Sequence, residues 1–60
     1  MIKLKFLRLR NGLTQTELAR MSGVSRVSIN RIETGRCKYP RMETIVALAL
    51  ALKCNVSELV

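Results

Sequence analysis

The chain has no histidine, no aspartate and no tryptophan, and it carries only two cysteines, one proline, one phenylalanine and one tyrosine. Without His or Asp, general acid–base chemistry falls to the four acidic residues, all of them glutamates. Each already has a structural place: Glu17, Glu43 and Glu58 in the first turns of helices, Glu33 near the end of one. No enzyme is expected. Cys37 and Cys54 have no partners to complete a thiolate or thiolate–imidazole set, so neither a metal nor any other cofactor is called for. Cys54 falls at an apolar position and reads as core. Cys37 lies among cations that would make it redox-sensitive if they lowered its pKa; the alternative is a plain loop thiol. With only Phe6 and Tyr39, the aromatic platforms on which single-stranded RNA stacks are lacking. Long apolar runs are missing too. The longest uncharged stretch, Thr44 to Leu52, is nine residues, against roughly 20 for a bilayer span. Lys3, Lys5, Arg8 and Arg10 break up any secretory signal core. A soluble cytoplasmic protein with reduced thiols is expected.

What the chain does have is positive charge. Eleven Lys and Arg against four Glu give +7, which attracts phosphates or anionic lipid. Ten of the eleven precede Met42, and only Lys53 follows it. A membrane-surface peptide would show one long amphipathic helix, whereas here caps and turns recur every few residues. The 60 residues make a single domain, 1–60. A chain of that size buries only about 60% of its unfolded surface, so helix packing and self-association must supply its stability.

The pattern is all helical. Leu4 and Leu7 share one face of a helix from about Ile2 to Arg10, stopped by Asn11-Gly12. Thr14-Gln-Thr-Glu17 is a capping box, with Leu13 placed to staple onto Leu18; that second helix runs to about Met21, before the turn at Ser22-Gly23. Ser25 is another N-cap, with Val24 placed to meet Ile29, and the third helix continues to about Thr34. Gly35 and a basic loop from Arg36 to Pro40 follow. Met42, Ile45, Leu48, Ala49 and Leu52 recur at helical spacing to give a fourth helix, and Asn55-Val-Ser-Glu58 caps a short fifth.

Two short helices joined by a tight glycine turn, the second rich in basic residues, form a helix-turn-helix over about 14–34. Side-chain order sharpens this: Ala19 is small where the third helix crosses, Gly23 takes the turn, and Ile29 and Ile32 face inward. With Leu-Arg in the first helix, Gly-Leu-Thr-Gln-x-Glu-Leu-Ala, Ser-Gly-Val-Ser-Arg, Ile-x-Arg-Ile-Glu-x-Gly and Met-Glu-Thr-Ile, the chain resembles the lambda repressor and Cro-like, or XRE-like, family along nearly its whole length. Two departures stand out: Arg41 where a capping Ser is common, and Lys53 where Gly or Asn usually ends the fourth helix.

The resemblance implies a compact lambda-repressor-like bundle of five short helices that binds double-stranded DNA sequence-specifically as a transcription regulator, a repressor, with the third helix in the major groove. Arg26 and Arg31, about 140° apart on that helix, are placed to read guanine edges. Val27 is open between a thymine-methyl contact and an ordinary exposed valine. Asn30 is open as well. Gln15, at the positive end of the second helix, is implied to clamp a phosphate, and Thr34, Arg36, Lys38 and Arg41 match the family's other backbone-binding stretch. Arg8 and Glu33 match a structural ion pair. Ala47 and Leu50 on the fourth helix, with Val56 and Val60, are candidates for a homodimer interface, and Ile2, Phe6 and Leu9 form a second apolar stripe. The alternative role within the family is that of an antitoxin, which would add a toxin as protein partner.

Overall fold

Five helices succeed one another through residues 3–60, the part of the chain that the computed structural model describes. They are α1 (Leu4–Arg10), α2 (Gln15–Ser22), α3 (Arg26–Glu33), α4 (Met42–Ala51) and α5 (Val56–Leu59). No strand occurs among the described residues, so the all-α, five-helix architecture holds. The start of the first helix is later than its periodicity suggests: α1 opens at Leu4 behind Lys3, which supplies no side-chain cap, and Ile2 lies outside the described residues.

The two helices of the motif are the best-defined locally. At α2 the Glu17 main-chain N–H donates to Thr14 Oγ1 at 3.0 Å while the Thr14 N–H donates to Glu17 Oε1 at 2.9 Å, satisfying two otherwise orphaned donors. At α3 the Ser28 N–H donates to Ser25 Oγ at 3.1 Å. Between the helices Gly23 takes φ 77°, a left-handed conformation in which a Cβ would be strained. That reversal fixes the angle at which α3 leaves α2. Leu13 and Val24, just ahead of the two caps, are half-buried and pack on the core beside the fully buried Leu18 and Ile29, as stapling residues should.

One core holds all five elements. Leu4 and Leu7 from α1, Leu18 from α2, Ile29 and Ile32 from α3, Ile45, Leu48 and Ala49 from α4, Leu52 after it and Leu59 from α5 are buried together. Full burial of each large side chain is worth about 1.5–3 kcal/mol. α2 packs on both α3 and α4, α1 on α3, and α4 on α5. The Lys3 N–H donates to the Leu59 carbonyl at 2.7 Å, fastening the start of α1 to α5.

In α4 the inward set is Ile45, Leu48 and Ala49, joined by Leu52, but Met42 does not belong to it: 64% of its surface is exposed. It lies instead in line with exposed Val46 and Leu50, one helical turn apart each. The two departures from the family pattern both have structural consequences. Arg41 is the N-cap of α4 with no side-chain bond to the helix. Lys53 ends α4 at φ 54°. The Cys54 N–H there donates to Ala49 O and the Lys53 N–H to Leu50 O, the paired bonds of a Schellman cap. The same pair closes α1, Leu13 N–H to Arg8 O and Gly12 N–H to Leu9 O, but with glycine in the left-handed position.

Candidate nucleic-acid interface

α3 buries Ile29 and Ile32 and turns Arg26, Val27, Asn30 and Arg31 outward. With Ile29 and Ile32 filling the inner face, Val27 is left 60% exposed. These four side chains, with Gln15 from the first turn of α2 and Arg36 from the following loop, line one open cleft of about 340 Å³. A second, of about 550 Å³, lies on the other side of Arg31 and Arg36 and is bounded by Ser28, Tyr39, Arg41 and Glu43. Arg31 of α3 and Arg36 of the loop after it are shared by both. Lys38 is exposed in that loop and lines neither cleft. Arg41 and Glu43 approach to 3.9 Å with both side chains exposed; such a contact in water is worth little and leaves the cation available.

The loop is not free-hanging. The Cys37 N–H donates to the Arg31 carbonyl at 2.9 Å, and the half-buried Cys37 side chain packs on the core. Cys37 therefore anchors the loop to α3. Cys54 likewise packs on the core, and burial, with a smaller contribution from the Glu58 charge, pushes its thiol up.

Beneath the cleft lies the bond that sets α3 in place. Arg8 Nε donates to Glu33 Oε2 at 2.7 Å and Arg8 Nη2 to Glu33 Oε1 at 3.0 Å, while Arg8 Nη1 donates to the Leu13 carbonyl at 2.7 Å. One guanidinium thus ties α1, the loop before α2, and the end of α3. Burial alone would raise the Glu33 carboxyl, but hydrogen bonds from Arg8 and Gln15, with the charges of Arg8 and Lys5, hold it below the usual carboxylate range. Arg8 is held above its ordinary value, chiefly by its hydrogen bond to Glu33.

Gln15 and Thr34, both expected to hold phosphate, have their donors directed elsewhere. Gln15 Nε2 donates to Glu33 Oε1 at 3.1 Å and to Asn30 Oδ1 at 3.2 Å, which engages both amide hydrogens. Phosphate at this corner would meet the first main-chain N–H groups of α2 rather than the Gln15 side chain. The Thr34 hydroxyl and the Thr34 N–H both donate to the Asn30 carbonyl, at 2.8 and 2.9 Å. Thr34 closes α3 and has no donor left for phosphate. Asn30, left open by sequence reasoning, belongs to the cleft; its place four residues after Arg26 was the available signal. Tyr39, 92% exposed, and Ser28 went unassigned.

The dimer candidates are divided. Leu50 and Val60 are exposed, at 74% and 51%. Ala47 is half-buried. Val56 is half-buried against the chain's own core. Met42 and Val46 take its place on the outer surface. Phe6 and Leu9 are both exposed.

A family model described as helix-turn-helix matches residues 4–59, a span that includes all five helices. Protein P2 of the Acyrthosiphon pisum secondary endosymbiont phage 1 is 50% identical over 40 residues, covering 67% of this chain and 43% of its own. The HTH-type transcriptional repressor RghR of Bacillus subtilis (strain 168) is 47% identical over 51 residues, covering 85% of this chain and 38% of its own. The chain spans less than half the length of either relative.

Proposed function

The chain belongs to the helix-turn-helix family, and from that membership we propose that it binds double-stranded DNA sequence-specifically and regulates transcription as a repressor. The observation that carries this reading is the single cleft on which Arg26, Val27, Asn30 and Arg31 of α3 converge with Gln15 and Arg36. α3 enters the major groove by its N-terminal half. Arg26 and Arg31 pair bidentately with guanine O6 and N7, and Val27 meets a thymine methyl. Arg36, Lys38, Arg41 and the start of α2 hold phosphates, which set register without reading sequence. The name of one relative, a transcriptional repressor, supports the direction of regulation.

Two copies would act together, joined by the outer face of α4 and Val60. Two recognition helices about 34 Å apart then meet half-sites on one face of the duplex. A repressor so placed competes for the DNA it covers.

Selection from a random duplex pool, followed by affinity measurements on the selected site and its single-base variants, tests the reading. The wild type should prefer the selected site by at least about a thousandfold over random duplex. Arg26→Ala should lose about 1–3 kcal/mol on that site and relax preference at one base pair. Equal affinity of the wild type for every duplex would sink the proposal.

A further inference from the structure

Four side chains beneath and within the cleft form a hydrogen-bond chain with a fixed direction. Arg8 is a donor only and presents Nε and Nη2 to Glu33. Glu33 is an ionised carboxylate and an acceptor only. It can therefore be satisfied by Gln15 only through the amide nitrogen, and Gln15 Nε2 lies 3.1 Å from Oε1. The second hydrogen of that NH₂ reaches Asn30 at 3.2 Å; because it is a donor, Asn30 must turn its oxygen to it. The Asn30 NH₂ is then the edge left without a partner, on an exposed residue in the cleft that contains Arg26, Val27 and Arg31. No free choice of amide orientation remains at any step, since flipping Asn30 or Gln15 would set two donors or two acceptors face to face.

We propose that Asn30 is a specificity-determining residue that meets DNA as a hydrogen-bond donor, its polarity imposed from the core by Arg8 through Glu33 and Gln15. An asparagine free to present both oxygen and NH₂ pairs with adenine N7 and N6. One whose oxygen is turned toward Gln15 selects edges made of acceptors alone, guanine O6 and N7 or thymine O4, over adenine, where the N7 acceptor stands beside an N6 donor that the NH₂ cannot satisfy. The inference rests on α3 lying in the major groove, and extends it to a base pair that Arg26 and Arg31 do not read.

The experiment measures affinities of the full chain for its selected site with all four base pairs at each position, for the wild type, Asn30→Ala, Asn30→Asp and Gln15→Met. The wild type should favour guanine or thymine at one position. Asn30→Ala should lower that preference about tenfold, within the range of one good base contact, with the other positions unchanged. Asn30→Asp, at an exposed site, presents acceptors in place of donors and should move the preference at that position to cytosine, whose N4 donates. Gln15→Met releases the Asn30 oxygen and should let adenine compete there. Uniform weakening by Asn30→Ala across all sequences would make Asn30 a phosphate contact and overturn the inference, as would a wild-type preference for adenine at its position. An Asn30→Ala profile identical to wild type, while Arg26→Ala still relaxes its own base pair, would overturn the inference alone. A wild type without sequence preference would overturn the groove reading with it.

Discussion

Arg8 and Glu33, 25 positions apart, meet in two parallel bonds of 2.7 and 3.0 Å, with 9% and 3% of their side chains exposed. The Arg8 guanidinium makes its third bond to the Leu13 carbonyl, so the pair is satisfied on both sides rather than merely adjacent. Removing one partner leaves a charge almost out of water, at a cost of about 3–5 kcal/mol. A double-mutant cycle with Arg8→Met and Glu33→Gln, followed by urea unfolding, should show the double variant losing clearly less than the sum of the singles. Additive losses would mean that the two residues act independently.

The same pair gives the fold an acid-sensitive component. Glu33 has a native pKa below its unfolded value, because bonds from Arg8 and Gln15 overcome the opposing effect of burial. Above the ordinary carboxylate range both states are ionised and the stabilisation is complete. As pH falls through that range the unfolded chain takes up a proton first, and the stabilisation declines until Glu33 is protonated in the native state as well. Glu17 is depressed too, chiefly by the main-chain bond from Thr14. Glu33→Gln should therefore flatten, without abolishing, the fall in melting temperature on the acid side. An unchanged slope would show that the native pair does not bias Glu33.

Much of this was legible in the sequence, and what escaped it shares one cause. Caps and their staples are local, so Thr14, Glu17, Ser25, Leu13 and Val24 fix where α2 and α3 begin without reference to the rest of the chain. The Arg8–Glu33 pair was implied by the resemblance, not by spacing. Met42 opens α4 as its spacing suggests, but on a helix apolar nearly all round hydrophobicity does not distinguish inside from outside. Val56, a candidate for the dimer face, is half-buried against the chain's own core. Gln15 and Thr34 match the family's phosphate positions, and in the fold their donors meet other acceptors: Glu33 and Asn30 across the helices for Gln15, the carbonyl one turn earlier in α3 for Thr34. Hydrogen-bond direction between helices is not written in a pattern of residue types.

Arg41 opens α4 without a side-chain cap, while its exposed guanidinium borders the larger cleft. These two facts separate stability from binding at one position. Arg41→Ser should stabilise the fold by about 0.5–2 kcal/mol through the new cap. It should at the same time weaken all duplexes similarly and lower the salt-dependence slope by about 1. Thermal melts and a salt titration of DNA affinity read the two effects apart; a variant that melts higher with an unchanged salt slope would remove Arg41 from the interface.

Lys53 is the one described non-glycine residue with positive φ. Its left-handed conformation costs about 1–2 kcal/mol for a side chain bearing a Cβ, part of which glycine returns as unfolded-state entropy. Lys53→Gly should raise stability by roughly 0.5–1 kcal/mol, or a few degrees in Tm for a domain of this size. Lys53→Val, β-branched and worse suited to that region, should lower it. Equal melting of all three would indicate that the α4 terminus relaxes to another conformation.

Self-association is the remaining test, and the exposed side chains say where to apply it. Met42, Val46 and Leu50 lie one turn apart along the outside of α4, with 64%, 39% and 74% of their surfaces in water, and Val60 adds 51%. Such a stripe on a helix whose opposite face is already core is ordinarily covered by a second element. Leu50→Glu puts a charge at its most exposed point, where it cannot disturb the monomer core. Sedimentation at micromolar concentrations should show a dimer for the wild type and a monomer for Leu50→Glu. The variant should keep half-site affinity and lose the gain from a second half-site. Phe6→Glu, on α1 in a cleft that it shares with Leu52, Lys53 and Glu58 and not with Met42, Val46 or Leu50, should leave both properties intact. A dimer that survives Leu50→Glu and dissociates on Phe6→Glu would move the interface to α1, and a wild type that stays monomeric while binding a single half-site would leave α4 without a partner of its own kind.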